Sequence, residues 1–445
     1  MRKIIIASDS FKGSLTSLEV ARAIEEGVKM VKDANEMEYA EKTKRDCRDC
    51  DIRCIEIADG GEGTAATLTR VLGGNIVKAI VSDPLGRMIE ATYGIAAISG
   101  QKTAIMEMAQ ASGLTLLKPS ERNPLLTSTH GTGEMILDAL NRGCKKFLIG
   151  IGGSATNDGG TGMLEALGFK FIDSNGRQMT GMCGGTINRI ARIIPPILLE
   201  EAEFIIACDV DTPFCRPNWQ KEAEGTEGAE GAEGTEGVEE VEGTEGAEGA
   251  EEVRKRDGSE GAAEVFGPQK GATPEEVVLL EKGMQSLNNI IKRDYGIDLS
   301  SIKGTGAAGG LGGAFHAFLN GRLQSGIAVV LDAIGFEEQI KDADLIITGE
   351  GRIDSQTCRG KVISGITSVA AKYGVPVIAI AGIVDMDEKE IEEAGLKAAF
   401  PIGPRPQNES DLEYAMRPEV ASKSISDTVA KALASLFPSS FRGNL

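Results

Sequence analysis

Hydrophobic and polar positions follow two different patterns along the chain, one near its ends and one in its middle. Near both ends, short apolar runs lead into stretches with helical spacing, which predicts strands followed by helices. The predicted strands are 3–8, 52–58, 343–349, 375–382 and 396–402, and the predicted helices are 17–31, 64–72, 361–373 and 424–436. Strands that alternate with helices favour a parallel sheet covered by helices.

The middle of the chain begins with a different pattern. At 77–100, apolar and polar positions alternate, and turn residues interrupt the runs. This pattern is typical of antiparallel hairpins, so the sequence predicts a mixed α/β domain inserted into the parallel one. We place the outer domain at 1–76 plus 325–445 and the inserted domain at 77–324. A length of 445 residues agrees with two domains, because a single core rarely grows so large.

One stretch of the inserted domain has a composition of its own. Residues 222–252 contain 13 glutamates, no basic residue and repeated Glu-Gly-Ala or Glu-Gly-Thr triplets. A segment this polar and rich in glycine cannot bury a core. We expect a disordered acidic low-complexity loop at about 221–258.

A second segment outside the alternating pattern, 40–54, carries Cys47, Cys50 and Cys54. A zinc or iron–sulfur centre needs a fourth ligand, and none is evident nearby in the sequence. We therefore favour a charged loop with free thiols over a metal site.

Charge and composition narrow the choice of function. The net charge of −20 argues against nucleic acid and anionic membranes as partners. The two histidines, His130 and His316, lie outside carboxylate-rich turns, and their number disfavours multi-histidine metal sites and Ser-His-Asp triads. Eight cysteines without a secretory pattern predict reduced thiols in the cytoplasm.

The first of three glycine-rich turns lies in 147–169, between an apolar run and a helical segment. Gly152 and Gly153 would let backbone amides approach phosphate closely. Asn157 and Asp158 would orient a hydroxyl or hold a cation, and an Asx turn is the alternative explanation.

The second turn, 304–315, contains a G-x-G-x-x-G match at Gly304, Gly306 and Gly309, followed by Gly310. No clear apolar strand precedes the match, so a dinucleotide fingerprint is weakly supported.

The third turn, 345–361, places four charged residues just beyond the carboxyl end of a predicted strand, 345–348. They are Glu350, Arg352, Asp354 and Lys361. Ligands of parallel sheets bind at this edge, and a surface ion-pair cluster is the alternative.

Polar residues also follow other predicted strands. Lys12 and Ser10 lie between a strand and the first helix, where α/β proteins hold anions. Glu62 lies in a glycine-rich turn after the second strand. Asp209 and Asp211 follow an apolar run, and such a pair suits Mg²⁺, although Asp211 precedes Thr-Pro and would also serve as a turn former.

This inventory of cations, carboxylates and amide-lined turns, with almost no histidine, suits phosphoryl transfer. Such catalysis depends mainly on positioning and on charge neutralisation. The candidate cations are Lys12, Lys270, Arg352 and Lys361.

Eight motifs in this order resemble the type-1 glycerate kinase family and cover nearly the whole chain. They are DSFKGSLTS (9–17), ADGGEGT (58–64), DPLGR (83–87), GGSATNDGG (152–160), CDVD (208–211), FGPQKGA (266–272), GAAGGLGGA (306–314) and TGEGRIDSQT (348–357). The resemblance implies an enzyme that uses ATP and Mg²⁺ to phosphorylate D-glycerate, giving 2-phospho-D-glycerate and ADP. It also implies that the outer α/β domain is flavodoxin- or Rossmann-like.

Roles are assigned by chemistry within this resemblance. The catalytic candidates are Lys12, Asp158, Arg352 and Asp354, with Asp158 or Asp354 accepting the hydroxyl proton. The candidates for substrate binding are Ser10, Glu62, Asn157, Glu350 and Lys361. The candidates for nucleotide binding are Gly152, Gly153, Lys270, Gly309 and Gly310, and those for Mg²⁺ are Asp209 and Asp211.

Several alternatives stay open at this point. The enzyme could form 3-phosphoglycerate, or the chain could bind sugar acids or nucleotides without catalysis. A nucleotide-binding dehydrogenase is disfavoured, because the strand before Gly304 and the acidic residue about 20 positions later are not visible. We expect a small-molecule partner, and the sequence leaves the oligomeric state, including a homodimer, undecided.

Overall fold

The computed structural model describes residues 3–11, 13–43, 51–57, 63–196, 202–217, 260–354, 362–403 and 406–437. The acidic loop expected at about 221–258 lies outside these residues, as do Cys47 and Cys50. The chain forms two compact units. Unit 1 comprises Met1–Gly74 and Ser325–Leu445, and unit 2 comprises Asn75–Gln324.

The strands of the described residues are, in chain order, β1 (Lys3–Ser8), β2 (Asp51–Glu56), β3 (Asn75–Ser82), β4 (Met88–Ile98), β5 (Gln101–Glu107), β6 (Lys146–Gly150), β7 (Lys170–Asp173), β8 (Gln178–Met179), β9 (Ile190–Ile194), β10 (Glu203–Ala207), β11 (Arg322–Gln324), β12 (Leu345–Ile353), β13 (Val377–Val384) and β14 (Ala398–Pro401). The helices are α1 (Ser17–Thr43), α2 (Thr64–Val71), α3 (Ala109–Ser112), α4 (His130–Asn141), α5 (Thr161–Ala166), α6 (Ala262–Phe266), α7 (Pro274–Tyr295), α8 (Ala307–Phe318), α9 (Gly326–Ala333), α10 (Phe336–Ile340), α11 (Val362–Ala371), α12 (Glu388–Glu393), α13 (Glu409–Ala415) and α14 (Pro418–Leu436).

Unit 1 is built on a five-stranded sheet in the order β14-β13-β12-β1-β2, in which all neighbours are parallel. Counted within the unit, this is the flavodoxin-like order 2-1-3-4-5. The expected outer domain with a parallel, flavodoxin-like sheet is therefore confirmed. The strand order reverses between β1 and β12, and open α/β sheets bind ligands outside the carboxyl ends of the strands at such a switch point.

The central strands of this sheet are apolar on both faces because helices cover both faces. In β1, Ile5 and Ala7 join the core formed with α9 and α11, whereas Ile4 and Ile6 join the core formed with α1 and α14. This arrangement explains why β1 reads as a continuous apolar run rather than an alternating one.

One strand differs from its predicted bounds in a way that affects the site. β12 was expected to end by 349, but it stays paired with β13 as far as Ile353 and Val384. Glu350 and Arg352 therefore lie inside the last part of the strand rather than beyond it. Two glycines near this end interrupt the apolar pattern, while backbone pairing with β13 continues the strand.

Unit 2 is built on a six-stranded sheet in the order β11-β10-β6-β5-β4-β3. The β3-β4-β5 part is antiparallel and the remaining neighbours are parallel, which confirms the predicted hairpins and the mixed α/β class. Phe204 links the core, with ring centres 4.8 Å from Phe147 and 5.7 Å from Phe315.

A second sheet of unit 2, with the strand order β8-β7-β9, was not predicted from the sequence. Across the part of the chain that the structure describes, no helix combines the length and hydrophobicity that a membrane span requires.

Candidate active site

The chain leaves β1 at the switch point through a tight turn. Phe11 donates a backbone hydrogen bond to Leu15 at 2.8 Å, and Leu15 donates one back at 3.0 Å. Gly13 lies inside this turn with a φ of +80°, a conformation that favours glycine. Lys12, the predicted catalytic cation, stands between Phe11 and Gly13 in the sequence but lies outside the described residues, so its role stays a prediction.

Polar groups beside the turn are buried against β12. Asp9, only 6% exposed, accepts the backbone N–H of Ser10 at 2.6 Å, and its own N–H donates to the Gly349 carbonyl at 3.0 Å. The buried Ser8 hydroxyl finds no hydrogen-bond partner among the described residues. A Cβ at Gly349 would lie 3.1 Å from the Ile380 carbonyl oxygen and 3.3 Å from the Phe11 ring, so a side chain at this position would be crowded.

A charged cluster marks the carboxyl ends of β12 and β13. The Arg352 Nη2 atom lies 2.5 Å from Oδ2 of Asp385, and its Nε lies 3.5 Å from Oδ2 of Asp354. The Arg352 side chain is 56% exposed, so a guanidinium oriented by two carboxylates remains accessible to an anionic ligand. Pairs this exposed contribute little to stability, which favours a binding role.

Asp385 was missed at the sequence level. The available signal was a carboxylate directly after the apolar strand 377–384. Glu350 is partly buried in β12, two residues from Arg352. The other predicted substrate ligands, Glu62 and Lys361, lie outside the described residues.

In unit 2, the glycine-rich loop after β6 is open at its beginning. Gly152 is exposed, and a Cβ there would meet no atom within 4 Å. Gly153, also exposed, has a φ of +71° and accepts a backbone hydrogen bond from Leu114 at 2.9 Å. This geometry leaves room for a phosphate group beside the backbone.

Asp158 is a fully buried anchor of the same loop. Its Oδ2 accepts bonds from the N–H and hydroxyl of Thr129, both at 2.8 Å, and from Gly162 N–H at 3.1 Å, while Oδ1 accepts from Gly160 N–H at 3.0 Å. Burial raises the pKa of the Asp158 carboxyl, and these donors oppose that change. Both Asp158 carboxylate oxygens are therefore engaged by donors of the protein itself.

Asn157 is in the opposite situation. Its side chain is fully buried, and both amide atoms lack a hydrogen-bond partner within the described ranges, as does the Thr156 hydroxyl. Leaving buried polar groups unpaired costs free energy, so native proteins normally satisfy them. The Asn157 amide therefore has hydrogen-bonding capacity for a ligand or a water molecule.

Lys270 binds the backbone of the loop 152–160 from the protein interior. Its side chain is 2% exposed, Nζ donates to the Thr156 carbonyl at 2.6 Å, and Nζ lies 5.7 Å from the centre of the Phe266 ring. Burial lowers the pKa of the Lys270 ammonium to about 7. The lysine thus faces the protein interior, and the predicted nucleotide contact stays a prediction.

Gly309 and Gly310 serve packing in a way the sequence did not indicate. Both have left-handed φ values, +65° and +92°. A Cβ at Gly309 would lie 2.1 Å from the Thr156 carbonyl oxygen, and one at Gly310 would lie 2.6 Å from Met284. The residues shortly before Gly304 include a 3₁₀ turn, Leu299–Ser301, in place of the strand that a dinucleotide fingerprint requires.

Asp209 and Asp211, the candidate magnesium ligands, follow β10 and are exposed. Asp211 Oδ2 pairs with Lys303 at 2.9 Å. Within the described residues, no group of three or more His, Cys, Asp or Glu side chains is arranged to hold a metal. Mg²⁺ that arrives with a nucleotide needs only one or two carboxylates, so this exposed pair fits it.

Two further features of unit 2 were not expected. Glu107, 9% exposed, ends β5 beside the end of β6, where an acidic residue after an apolar strand was the available signal. His130 lies 3.7 Å from Glu134 and 3.8 Å from Glu165, although its place in the sequence is outside carboxylate-rich turns. The fold brings Glu165 there from a distant part of the sequence.

Comparison with known proteins identifies the relatives of this chain. The model of the glycerate kinase family matches residues 4–223 and 256–436. A glycerate kinase from Halalkalibacterium halodurans is 40% identical over 429 residues, covering 94% of this chain and 97% of the relative. A glycerate 2-kinase from Escherichia coli is 38% identical over 404 residues, covering 90% of each chain.

A solved structure, described as glycerate kinase 2 from Salmonella typhimurium LT2, aligns with a TM-score of 0.71 at 36% identity and covers 98% of both chains. The fold, the charged sheet edge and these likenesses together define an α/β enzyme of the kinase class. The chain belongs to the glycerate kinase family.

Proposed function

We propose that this protein transfers the terminal phosphoryl group of ATP to D-glycerate, with 2-phospho-D-glycerate and ADP as products. Family membership supports glycerate as the acceptor, and the relative named glycerate 2-kinase supports the 2-hydroxyl. At the level of residues, the observation that carries the proposal is the accessible Arg352 guanidinium held by Asp354 and Asp385 next to the switch point.

D-glycerate presents one carboxylate and two hydroxyl groups. We assign the carboxylate to Arg352 and Lys12, because a guanidinium pairs with a carboxylate in a bidentate geometry and a lysine adds a second positive charge. The hydroxyl groups are assigned to side chains predicted nearby: Ser10, Glu62, Glu350 and Lys361.

The reaction forms a bond between the 2-hydroxyl oxygen of glycerate and the terminal phosphorus, and the bond from that phosphorus to ADP breaks. The hydroxyl proton passes to a carboxylate, for which we propose Asp354. Its side chain is 30% exposed and therefore reachable, whereas Asp158 is enclosed by its own donors. Arg352 and Lys12 offset the negative charge on the transferring group.

The nucleotide phosphates are assigned to the open backbone at Gly152 and Gly153. Asp209 and Asp211 would hold Mg²⁺, whose charge neutralises phosphate oxygens when it is bound. Asn157, with its unpaired amide, is assigned to the same ligand-binding region, since the sequence places it five residues after Gly152.

Phosphorus NMR of the product made from D-glycerate and ATP tests the proposal. A phosphate on the 2-hydroxyl couples to one proton and gives a doublet, which is the expected result. A triplet would show phosphorylation of the 3-hydroxyl, and the absence of any new phosphomonoester would overturn the assignment. L-glycerate and Arg352→Ala serve as controls for the acceptor and for the site.

A further inference from the structure

Burying the Lys270 ammonium costs free energy, and in the structure this group binds the backbone carbonyl of Thr156. Lys270 ends the 3₁₀ turn Pro268–Lys270, and only 2% of the residue is exposed. An amine in this environment loses its hydration, and the pKa of Lys270 falls to about 7 for that reason. Its hydrogen bond to the Thr156 carbonyl, at 2.6 Å, replaces part of that hydration. A methionine of similar length would avoid the desolvation cost, so stability alone does not explain this lysine.

The Thr156 carbonyl is also constrained from a second direction. The left-handed segment that includes Gly309 packs so tightly on it that a Cβ at Gly309 would lie 2.1 Å from the carbonyl oxygen. The Gly309 carbonyl in turn accepts the N–H of Gly159 at 3.0 Å. The backbone at 156–159 is therefore held between the Lys270 ammonium and this segment.

The constrained stretch connects to the part of the loop that is open. Gly152 and Gly153 are exposed, and Asn157 keeps a buried, unpaired amide directly after the carbonyl that Lys270 binds. Enzymes accelerate phosphoryl transfer largely by holding groups in place before the substrate arrives. A fixed Thr156 would supply that preorganisation for the residues on either side of it.

We propose that Lys270 is a positioning residue, which fixes the loop 152–160 for phosphoryl transfer through its bond to the Thr156 carbonyl and does not contact the ligand. This inference rests on the proposed function, since activity is one of its readouts. A direct contact between Lys270 and the nucleotide is the competing role, and a purely structural role is the other.

Lys270→Met in the full-length protein separates these roles with three measurements. We expect kcat/KM for ATP to fall roughly 100-fold, as displacement of a catalytic group by about 1 Å does. The melting temperature should change little, because the removal of a desolvated cation offsets the loss of its hydrogen bond to the Thr156 carbonyl. Hydrogen exchange of the amides at 152–160 in the ligand-free protein should quicken about tenfold, because the loop loses its anchor.

Each other outcome contradicts the proposal. Unchanged loop exchange with reduced activity would show that Lys270 touches the ligand, and a lower melting temperature with loss of protection throughout unit 2 would show a structural role. Lys270→Arg keeps a donor for the Thr156 carbonyl and should preserve loop protection and most activity. A folded Lys270→Arg protein with an unprotected loop would also overturn the proposal. A wild type inactive on D-glycerate would refute the proposed function, while loop exchange would still test the anchor.

Discussion

Replacing Asn157 with leucine should make the protein more stable and less active at the same time. Leucine has the same number of side-chain heavy atoms and the same branching as asparagine but is bulkier, so closer packing offsets part of the gain. The substitution removes two buried amide atoms that lack partners in the described residues. An unpaired buried polar group costs about 1–3 kcal/mol, and this value is the upper limit of the expected gain. For a domain of this size the melting temperature should rise by roughly 2–4 °C per kcal/mol.

Asn288→Leu is the matched control. Asn288 is also a buried amide of unit 2, but it donates to Asp298 at 3.1 Å and accepts from the Leu299 N–H at 2.9 Å. Its replacement breaks both bonds and leaves their partners unpaired, so the melting temperature should fall. The two variants therefore differ in the sign of the stability change.

Thermal unfolding and steady-state kinetics on both variants give the answer. If Asn157 serves a ligand, Asn157→Leu should lower kcat/KM by roughly 100-fold or more, because a site built to hydrogen-bond its ligand loses its partner. A fall in stability with activity retained would refute this reasoning, since it would mean that an internal water satisfies the amide and that the ligand never meets it.

Three further outcomes are expected. Gly152→Ala should have the melting temperature of the wild type but a higher KM for ATP. Gly309→Ala should have a lower melting temperature, because its Cβ would lie 2.1 Å from a carbonyl oxygen. Equal melting temperatures of the two variants would contradict the packing role of Gly309. Burial raises the pKa of the Glu281 carboxyl from 4.5 to about 7, so its stabilising contribution is present below pH 4.5 and is lost as the pH rises through 7. In urea unfolding, Glu281→Gln should therefore match the wild type near pH 4.5 and exceed it above pH 7, and parallel pH curves would contradict this. Arg352→Lys should reduce kcat/KM at least about tenfold with little change in melting temperature, because a lysine cannot contact Asp354 and Asp385 and also present a planar fork to the substrate carboxylate. Wild-type kinetics would exclude this arginine from the site.

The sequence could predict the elements whose local pattern and tertiary environment agree. The apolar run of β1 is buried on both faces, so its strand and the turn after it were visible directly. The end of β12 was not, because Gly349 and the charged residues after it break the apolar pattern, while pairing with β13 extends the strand. The side-chain pattern of a strand does not show how far its backbone pairs with a neighbouring strand.

In the candidate site, too, some features follow from the local sequence and others only from the fold. Arg352 and Asp354 were found because they follow an apolar run, whereas the contact of Arg352 with Asp385 joins two strands and depends on the sheet order. Gly152 and Gly309 look alike in the sequence, yet one faces open space and the other packs against a carbonyl. Only the folded structure distinguishes a glycine that faces open space from one that packs against the backbone.

The most direct measurement is the stoichiometry of ADP and phosphoglycerate formed by the purified protein from ATP, Mg²⁺ and D-glycerate. The proposed phosphoryl transfer predicts one ADP for each molecule of 2-phosphoglycerate and no ADP release without the sugar acid. ADP formation independent of D-glycerate, or no ADP formation at all, would contradict it.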